Sequence, residues 1–357
     1  MRRTRRLAIV FSAVVLVGAV ALVLRGLDAM GVFTEVAPAA CDGASIIRGV
    51  SGAADLQYDA QANALFISET DLRLWPKHPS ARDGIYLARP GDLAPPFMLP
   101  GSSKDFHPFG ISLFRAPDGS LTLMAVNRPA NGNPAVDIFD VSDAATAKIA
   151  LHERESIAGD LLVSPGGLVA VDKARFYATN EHTSAAGVWR MLERTLMLPR
   201  ANVVYFDGAD FRVVADGLRS AAGISESADG AHVYVAETMG REIRTFARNV
   251  FSGDLSPVSV LPIASGLGNI EISTNGSLLV AGEPKLIDVL VYRRDPAKPA
   301  ASQVFSVSVD ARGIPLAAKL VYSGTEIGAA DVGLPVRDRL LIGSGLDTKI
   351  LSCALPG

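Results

Sequence analysis

The amino-acid sequence predicts an all-β fold: a six-bladed β-propeller, closed by pairing of its N-terminal and C-terminal strands and preceded by an N-terminal transmembrane helix. Three observations carry that expectation. A hairpin cadence recurs six times at roughly 45 to 60 residues, a period typical of propeller blades. Each copy sets a polar turn between two runs of period-two hydrophobicity, the strongest short-range hairpin signal. The only two cysteines, Cys41 and Cys353, stand at opposite ends of the array. A β-sandwich with accidental self-similarity is the competing architecture. A single blade cannot bury both faces of its sheet, however, so six of them close around an axis.

Met1–Arg6 is basic, and Leu7–Leu24 is an apolar run whose only hydroxyl is Ser12. As a helix it would span about 27 Å, just short of a typical hydrocarbon core. A cleaved signal peptide is one reading, but the run is long and Arg25 stands where small residues would mark cleavage. A lipoprotein signal ending at Cys41 is another, but Pro38-Ala39-Ala40 lies far beyond the apolar run. The third reading is an uncleaved anchor. Two arginine pairs before the run, against Arg25 after it, set its N-terminus in the cytoplasm. All three readings export the rest of the chain. The anchor reading divides the chain into residues 1–25, a linker over 26–40, and a propeller over 41–357 on the periplasmic or extracellular side. In an oxidising compartment Cys41 and Cys353 are expected to be joined, stapling the ring where its ends meet.

The six copies are Ala53–Glu69, Gly110–Asn127, Gly167–Asn180, Gly223–Glu237, Gly268–Glu283 and Ala329–Ser344. Blade one is expected over Ala53–Leu87, and the later blades start near Phe109, Gly167, Gly223, Asn269 and Ala330. Outer strands are legible at Ala135–Val141, Asn202–Phe206 and Val289–Tyr292. Ala185–Leu198 breaks the alternation. Its apolar spacing fits a short amphipathic helix inserted in blade three, either over one mouth of the channel or as a plain surface helix.

A formal charge of −3 and a pI near 6.0 give no electrostatic footprint for nucleic acid. There is no GxxxxGK[ST] or GxGxxG on a βαβ unit, so a nucleotide cofactor is unsupported. Gly343-Ser344-Gly345 is only part of a nucleophile elbow and sits at a strand end. Polar residues ending inner strands are the channel candidates: Glu69, Asn127, Asn180, Glu181, His182, Glu237 and Glu283, with Asp331 at the start of blade six. Carboxylates converging with His182 could make a metal site or a general base of raised pKa. They could equally be polar because strand ends meet solvent. His107 and Arg128 are open in the same way, and Arg128 could hold an anionic ligand.

Phe106–Phe114, Val126–Pro129, Phe176–His182, Ile224–Glu237 and Leu340–Cys353 resemble the paraoxonase/arylesterase family, as do the cysteine placement and the apolar N-terminus. The resemblance covers nearly the whole chain. It implies a six-bladed propeller with calcium in its channel, hydrolysing lactones and aryl esters, with one ion catalytic and one structural. The family's side-chain ligands fall here on Ala54-Asp55, Gly166-Gly167, Ala222 and Gly268-Asn269, and its backbone carbonyl ligand on Ile111. The histidine dyad falls on Phe109 and Arg128. Of the side-chain ligands Asp55 and Asn269 survive. Calcium wants six to eight oxygens, several from carboxylates, so its binding is expected to be weak or absent. Two functions follow as expectations. One is a hydrolase of small apolar esters or lactones with a degenerate or remodelled calcium site. The other is a non-catalytic propeller binding a small molecule or protein at its channel mouth.

Overall fold

The computed structural model of the protein describes residues 2–92, 94–103, 105–184 and 187–355. Met1, Leu93, Lys104, Ala185, Ala186, Pro356 and Gly357, which fall within the expected segments, lie outside the described residues. Among the described residues the strands form six four-stranded antiparallel sheets, each built from consecutive strands except the last. The first strands are Ala53–Asp59, Pro108–Arg115, Pro165–Ala170, Ala221–Glu226, Gly266–Ile272 and Val332–Val336, close to the expected blade starts. Each first strand packs against that of the next blade, and blade six packs against blade one, so the ring is closed.

The hairpin turns work as their residues dictate. Gly119, Gly230 and Gly276 adopt φ of 84°, 69° and 82°, which L side chains rarely occupy. In front of each, the side-chain oxygen of Asp118, Asp229 or Asn275 accepts the amide two residues on. These turns return the chain onto the preceding strand and set the register of the inner pair. Alternation then places one apolar row on each face of the sheet, and those rows fill the wedges between blades. Phe66, Ile85 and Leu87 of blade one meet Ile111, Leu123 and Phe139 of blade two. Tyr177 and Tyr205 of blade three meet Val233 and Val235 of blade four. A large side chain buried in this way is worth roughly 1.5–3 kcal/mol against exposure.

Closure comes from both ends of the chain. Ser45–Arg48 adds as the outermost strand of blade six, with Ser45 opposite Ser352 and Arg48 opposite Lys349. Cys41 and Cys353 are disulfide-bonded beside that pairing.

The helices lie outside the sheets. Helix α1 (Arg2–Ala29) carries Val10–Ala29, long and apolar enough to cross a membrane, with a mean hydropathy of 2.4. Its base is tied to the propeller: Arg241 Nη1 donates to Ala29 O, and Ile287 N donates to Met30 O. Helix α2 (Gly187–Thr195) falls where the amphipathic insertion was expected. The expected strand at Val289–Tyr292 is corrected by the structure: it belongs to helix α3 (Leu286–Arg294), and the third strand of blade five is Ser302–Val309. The β-branched and aromatic run reads as strand, but charge decides otherwise. Asp288 sits in the first turn and Arg293 and Arg294 in the last, matching the helix dipole, and Asp295-Pro296 then ends the helix.

Replacing Cys353 by Ser is predicted to lower the unfolding temperature by several degrees. The bond closes a loop of 312 residues, worth on the order of 5 kcal/mol of unfolded-chain entropy. A thermal melt run with and without reductant checks this; identical midpoints contradict it.

Candidate functional site

The first strand of each blade carries the site, and a repeated irregularity aims it. In blades one to five the pairing of first and second strands slips near its start, between Ala53 and Asp55, Pro108 and Ile111, Pro165 and Leu168, Ala221 and Ile224, and Leu267 and Ile270. A bulge inserts unpaired residues and bends the strand. The residues it releases at the axis are Ala54, Phe109-Gly110, Gly166-Gly167, Ala222-Gly223 and Gly268-Asn269.

The polar residues that end the second strands have a separate duty. Asn127 Oδ1 accepts the His107 amide at 3.0 Å, and Asn180 Oδ1 accepts those of Val163 and Ser164 at 2.9 Å each. Glu237 Oε2 accepts the Arg219 amide at 2.6 Å, and the Ser51 amide, placed alike in blade one, opposes the upward pKa shift that burial gives Glu69. Each donor precedes the first strand of the same blade, so the side chain pins the incoming segment. Glu69, Asn127, Asn180 and Glu237 are buried in these bonds and do not line the cavities on the axis. Glu237 also pairs with Arg244. His107 likewise stays off the axis, held between Asp83 at 2.7 Å and Asp105 at 3.0 Å, and the Asp83 hydrogen bond raises its pKa. The residue after the pin links blades: Thr70 donates to Pro108 O, Arg128 to Pro165 O and Thr238 to Leu267 O.

Glu283 departs from this pattern. It holds the equivalent place in blade five, yet it makes no side-chain hydrogen bond among the described residues, and it borders a cavity of about 520 Å³ at the helix-covered end of the axis. Glu181, His182, Ala222 and Asp331 border the same cavity. Burial raises the Glu283 pKa well above the usual carboxylate range, and the facing Asp331 adds to the shift. Burial likewise pushes Asp331 up to about 7, against the Gly345 amide that its Oδ2 accepts at 2.6 Å. His182 Nε2 lies 3.0 Å from Ser164 Oγ, its Nδ1 is buried without a partner among the described residues, and burial lowers its pKa. Glu181 pairs with Arg128 at 2.9 Å, and the Arg128 guanidinium lies 4.1 Å over the Phe109 ring. Part of the cavity wall is aliphatic, with Leu72, Met197, Leu198, Leu286 and Leu290, and Met30 from just beyond α1; Glu193, Arg219, Thr238 and Arg293 supply polar wall. Sequence reading missed the α3 part of this wall, since it took Val289–Tyr292 for a strand; the Asp288 to Arg293-Arg294 polarity was the available signal.

A second cavity, of about 890 Å³, opens at the far ends of the first strands. Asp55 and Glu271 border it, and Gln57 Nε2 donates to Glu271 Oε1 at 2.9 Å. Burial pushes Asp55 up to about 7 although its oxygens accept the Leu56 and Ile111 amides at 2.9 and 2.8 Å. Asn269 Nδ2 donates to Ala54 O at 3.2 Å.

The described residues thus form a closed six-bladed propeller with a carboxylate-bearing cavity on its axis. Residues 100–355 match the family model Arylesterase, and the chain belongs to that family, the paraoxonases and arylesterases. It is 29% identical over 327 residues to rat (Rattus norvegicus) serum paraoxonase/arylesterase 1, covering 88% of this chain and 90% of that protein. It is 31% identical over 252 residues to human (Homo sapiens) serum paraoxonase/arylesterase 2, covering 70% and 69%. Among solved structures, luciferin-regenerating enzyme superposes with a TM-score of 0.54 at 10% identity, covering 88% of this chain and 96% of that one. The aldose sugar dehydrogenase of Streptomyces coelicolor gives 0.54 at 14%, covering 89% and 99%. These two share the fold.

The family is calcium-dependent, so its donor positions are the test of fit, and they do not fit an ion here. Ala54, Gly166, Gly167, Ala222 and Gly268 have no side-chain oxygen, and the surviving Asp55 and Asn269 are engaged by backbone groups. Among the described residues no group of three or more His, Cys, Asp or Glu is gathered to hold a metal.

Asn180→Ala is predicted to cost about 2–4 kcal/mol of stability, since it strands buried amides of Val163 and Ser164. Urea unfolding reads this directly. A variant within about 0.5 kcal/mol of the parent would show that the pin carries no load.

Proposed function

We propose that the protein is an exported, membrane-anchored hydrolase of small apolar esters or lactones, working through a remodelled site in the helix-covered cavity. The single observation that carries this reading is Glu283. Asn127, Asn180 and Glu237 pin the start of their own blades by hydrogen bonds to backbone amides, while Glu283 is free of that duty and faces Asp331 across the cavity.

Two interacting buried carboxyl groups hold protons unequally, which yields one base and one acid at neutral pH. Asp331 has one oxygen fixed by the Gly345 amide and is the base: it takes a proton from water, whose oxygen adds to the substrate carbonyl. Glu283, whose pKa burial raises and which lacks a fixed amide donor among the described residues, gives its proton to the leaving alkoxide as the ester C–O bond breaks. The aliphatic part of the wall receives the acyl chain. No Phe, Tyr or Trp side chain lines the cavity among the described residues, so an aliphatic lactone fits better than an aryl ester. The apolar N-terminal helix, its basic flank and the disulfide support export with the helix retained, the more so since Met30 is part of the cavity wall.

The test uses the full chain in detergent, with a γ- or δ-lactone bearing an alkyl chain and with phenyl acetate. Lactone hydrolysis is predicted to rise as pH passes through about 7, where Asp331 loses its proton. Asp331→Asn and Glu283→Gln are each predicted to lower kcat/KM by about 10²–10⁴. Wild-type rates in both variants would remove the proposed pair. A parent chain inactive on every ester and lactone would favour a non-catalytic propeller that binds at its mouth.

A further inference from the structure

The five bulges bring backbone to backbone around the axis, and the spacing leaves no room for side chains. A Cβ built on Gly110 would lie 2.4 Å from Gly166 O, in the next blade. One on Gly167 would lie 2.4 Å from Ala222 O, one on Gly223 2.5 Å from Gly268 O, and one on Gly268 2.5 Å from Asp331 O. One on Gly343 would lie 2.7 Å from Ala53 O, which carries the sequence of contacts from blade six back to blade one. Real Cβ atoms essentially never approach so closely, and the opposing atoms are backbone, which cannot swing aside. The remaining junction, between blades one and two, is made by Asp55 Oδ2 accepting the Ile111 amide. Hydrogen bonds reinforce the ring: Asn269 N donates to Asp331 O at 2.7 Å, and Thr179 Oγ1 donates to Ala222 O at 2.6 Å.

The bulge positions where the resemblance places calcium ligands are therefore the positions where this chain touches itself. Gly167 and Gly268 could not regain the missing carboxylate side chains without forcing blades apart, while a Cβ on Gly166 would lie 3.0 Å from the Glu181 carboxylate. Calcium takes six to eight oxygens at 2.3–2.6 Å in a cage of some size. The space left there is a cavity of about 120 Å³ bordered by Gly110, Gly166, Gly268 and Asn269 and by Glu181 and Asp331, whose carboxylates are engaged by Arg128 and by the Gly345 amide.

We infer that direct contact through this glycine collar takes the place of calcium as the clamp at the propeller's axis, so that the protein folds and stays closed without the ion. The inference stands on the collar and not on the catalytic pair, so it survives if Asp331 and Glu283 prove silent.

The experiment is metal analysis of the purified full chain together with its thermal unfolding in calcium and in excess chelator. The expected result is less than one tenth of an equivalent of calcium per chain and a Tm shift below 1 °C between the two conditions. One equivalent of calcium, or a Tm that falls by several degrees in chelator, would overturn the inference. Gly167→Ala and Gly268→Ala give an independent readout: each is expected to lower Tm by several degrees in chelator and in calcium alike. Full tolerance of both substitutions would show that the collar is not in contact and would also overturn it.

Discussion

The constraint on which the structure depends is the meeting of six blades at one axis. Each sheet is twisted, so the first strands converge and the space between them narrows toward the centre. Something must fill or bridge that space. Side chains can do it, an ion can do it, and in this chain the backbone itself does much of it. Glycines 110, 167, 223 and 268 let successive first strands approach through their bulges, and Asn269 and Asp55 add hydrogen bonds across the junctions. The two axial cavities exist because the collar divides the channel, with Asp331 and Glu283 on one side and Asp55 and Glu271 on the other.

The same arrangement explains why membership of a calcium-dependent family does not transfer the family's ligands residue by residue. Propeller architecture is fixed by hairpins, inter-blade apolar rows and closure, all of which are intact. Chemistry lives at the bulges, where a substitution alters the axis without disturbing a wedge. Phe109 and Arg128 show this well. They hold the places of the family's histidine dyad, yet they form a cation–π contact, and Arg128 spends its Nε on Pro165 O.

Much of the fold was legible because turn chemistry and alternation agree. Asp118-Gly119, Asp229-Gly230 and Asn275-Gly276 announce hairpins, and the structure puts tight turns there. Val289–Tyr292 was not legible from its apolar content, because a short apolar run serves helix or strand equally well and only the flanking charges discriminate. The candidate site was half legible. That strand ends carry polar groups is a consequence of the repeat, and Glu181, His182, Glu283 and Asp331 do border one cavity. Which polar ends turn inward is not. A bulge moves the residues near it out of simple alternation, so a sequence pattern cannot separate Glu283 from Glu237, one open to the cavity and the other buried against Arg219 and Arg244.

The function proposed above places the site on this chain's own carboxyl groups, in a cavity above the collar. The most direct measurement is lactone hydrolysis by the full chain across pH 5 to 9, assayed in parallel with excess chelator and with millimolar calcium. The predicted result is one curve, rising through about pH 7 and the same in both conditions. Activity that vanishes in chelator and returns with calcium would contradict it.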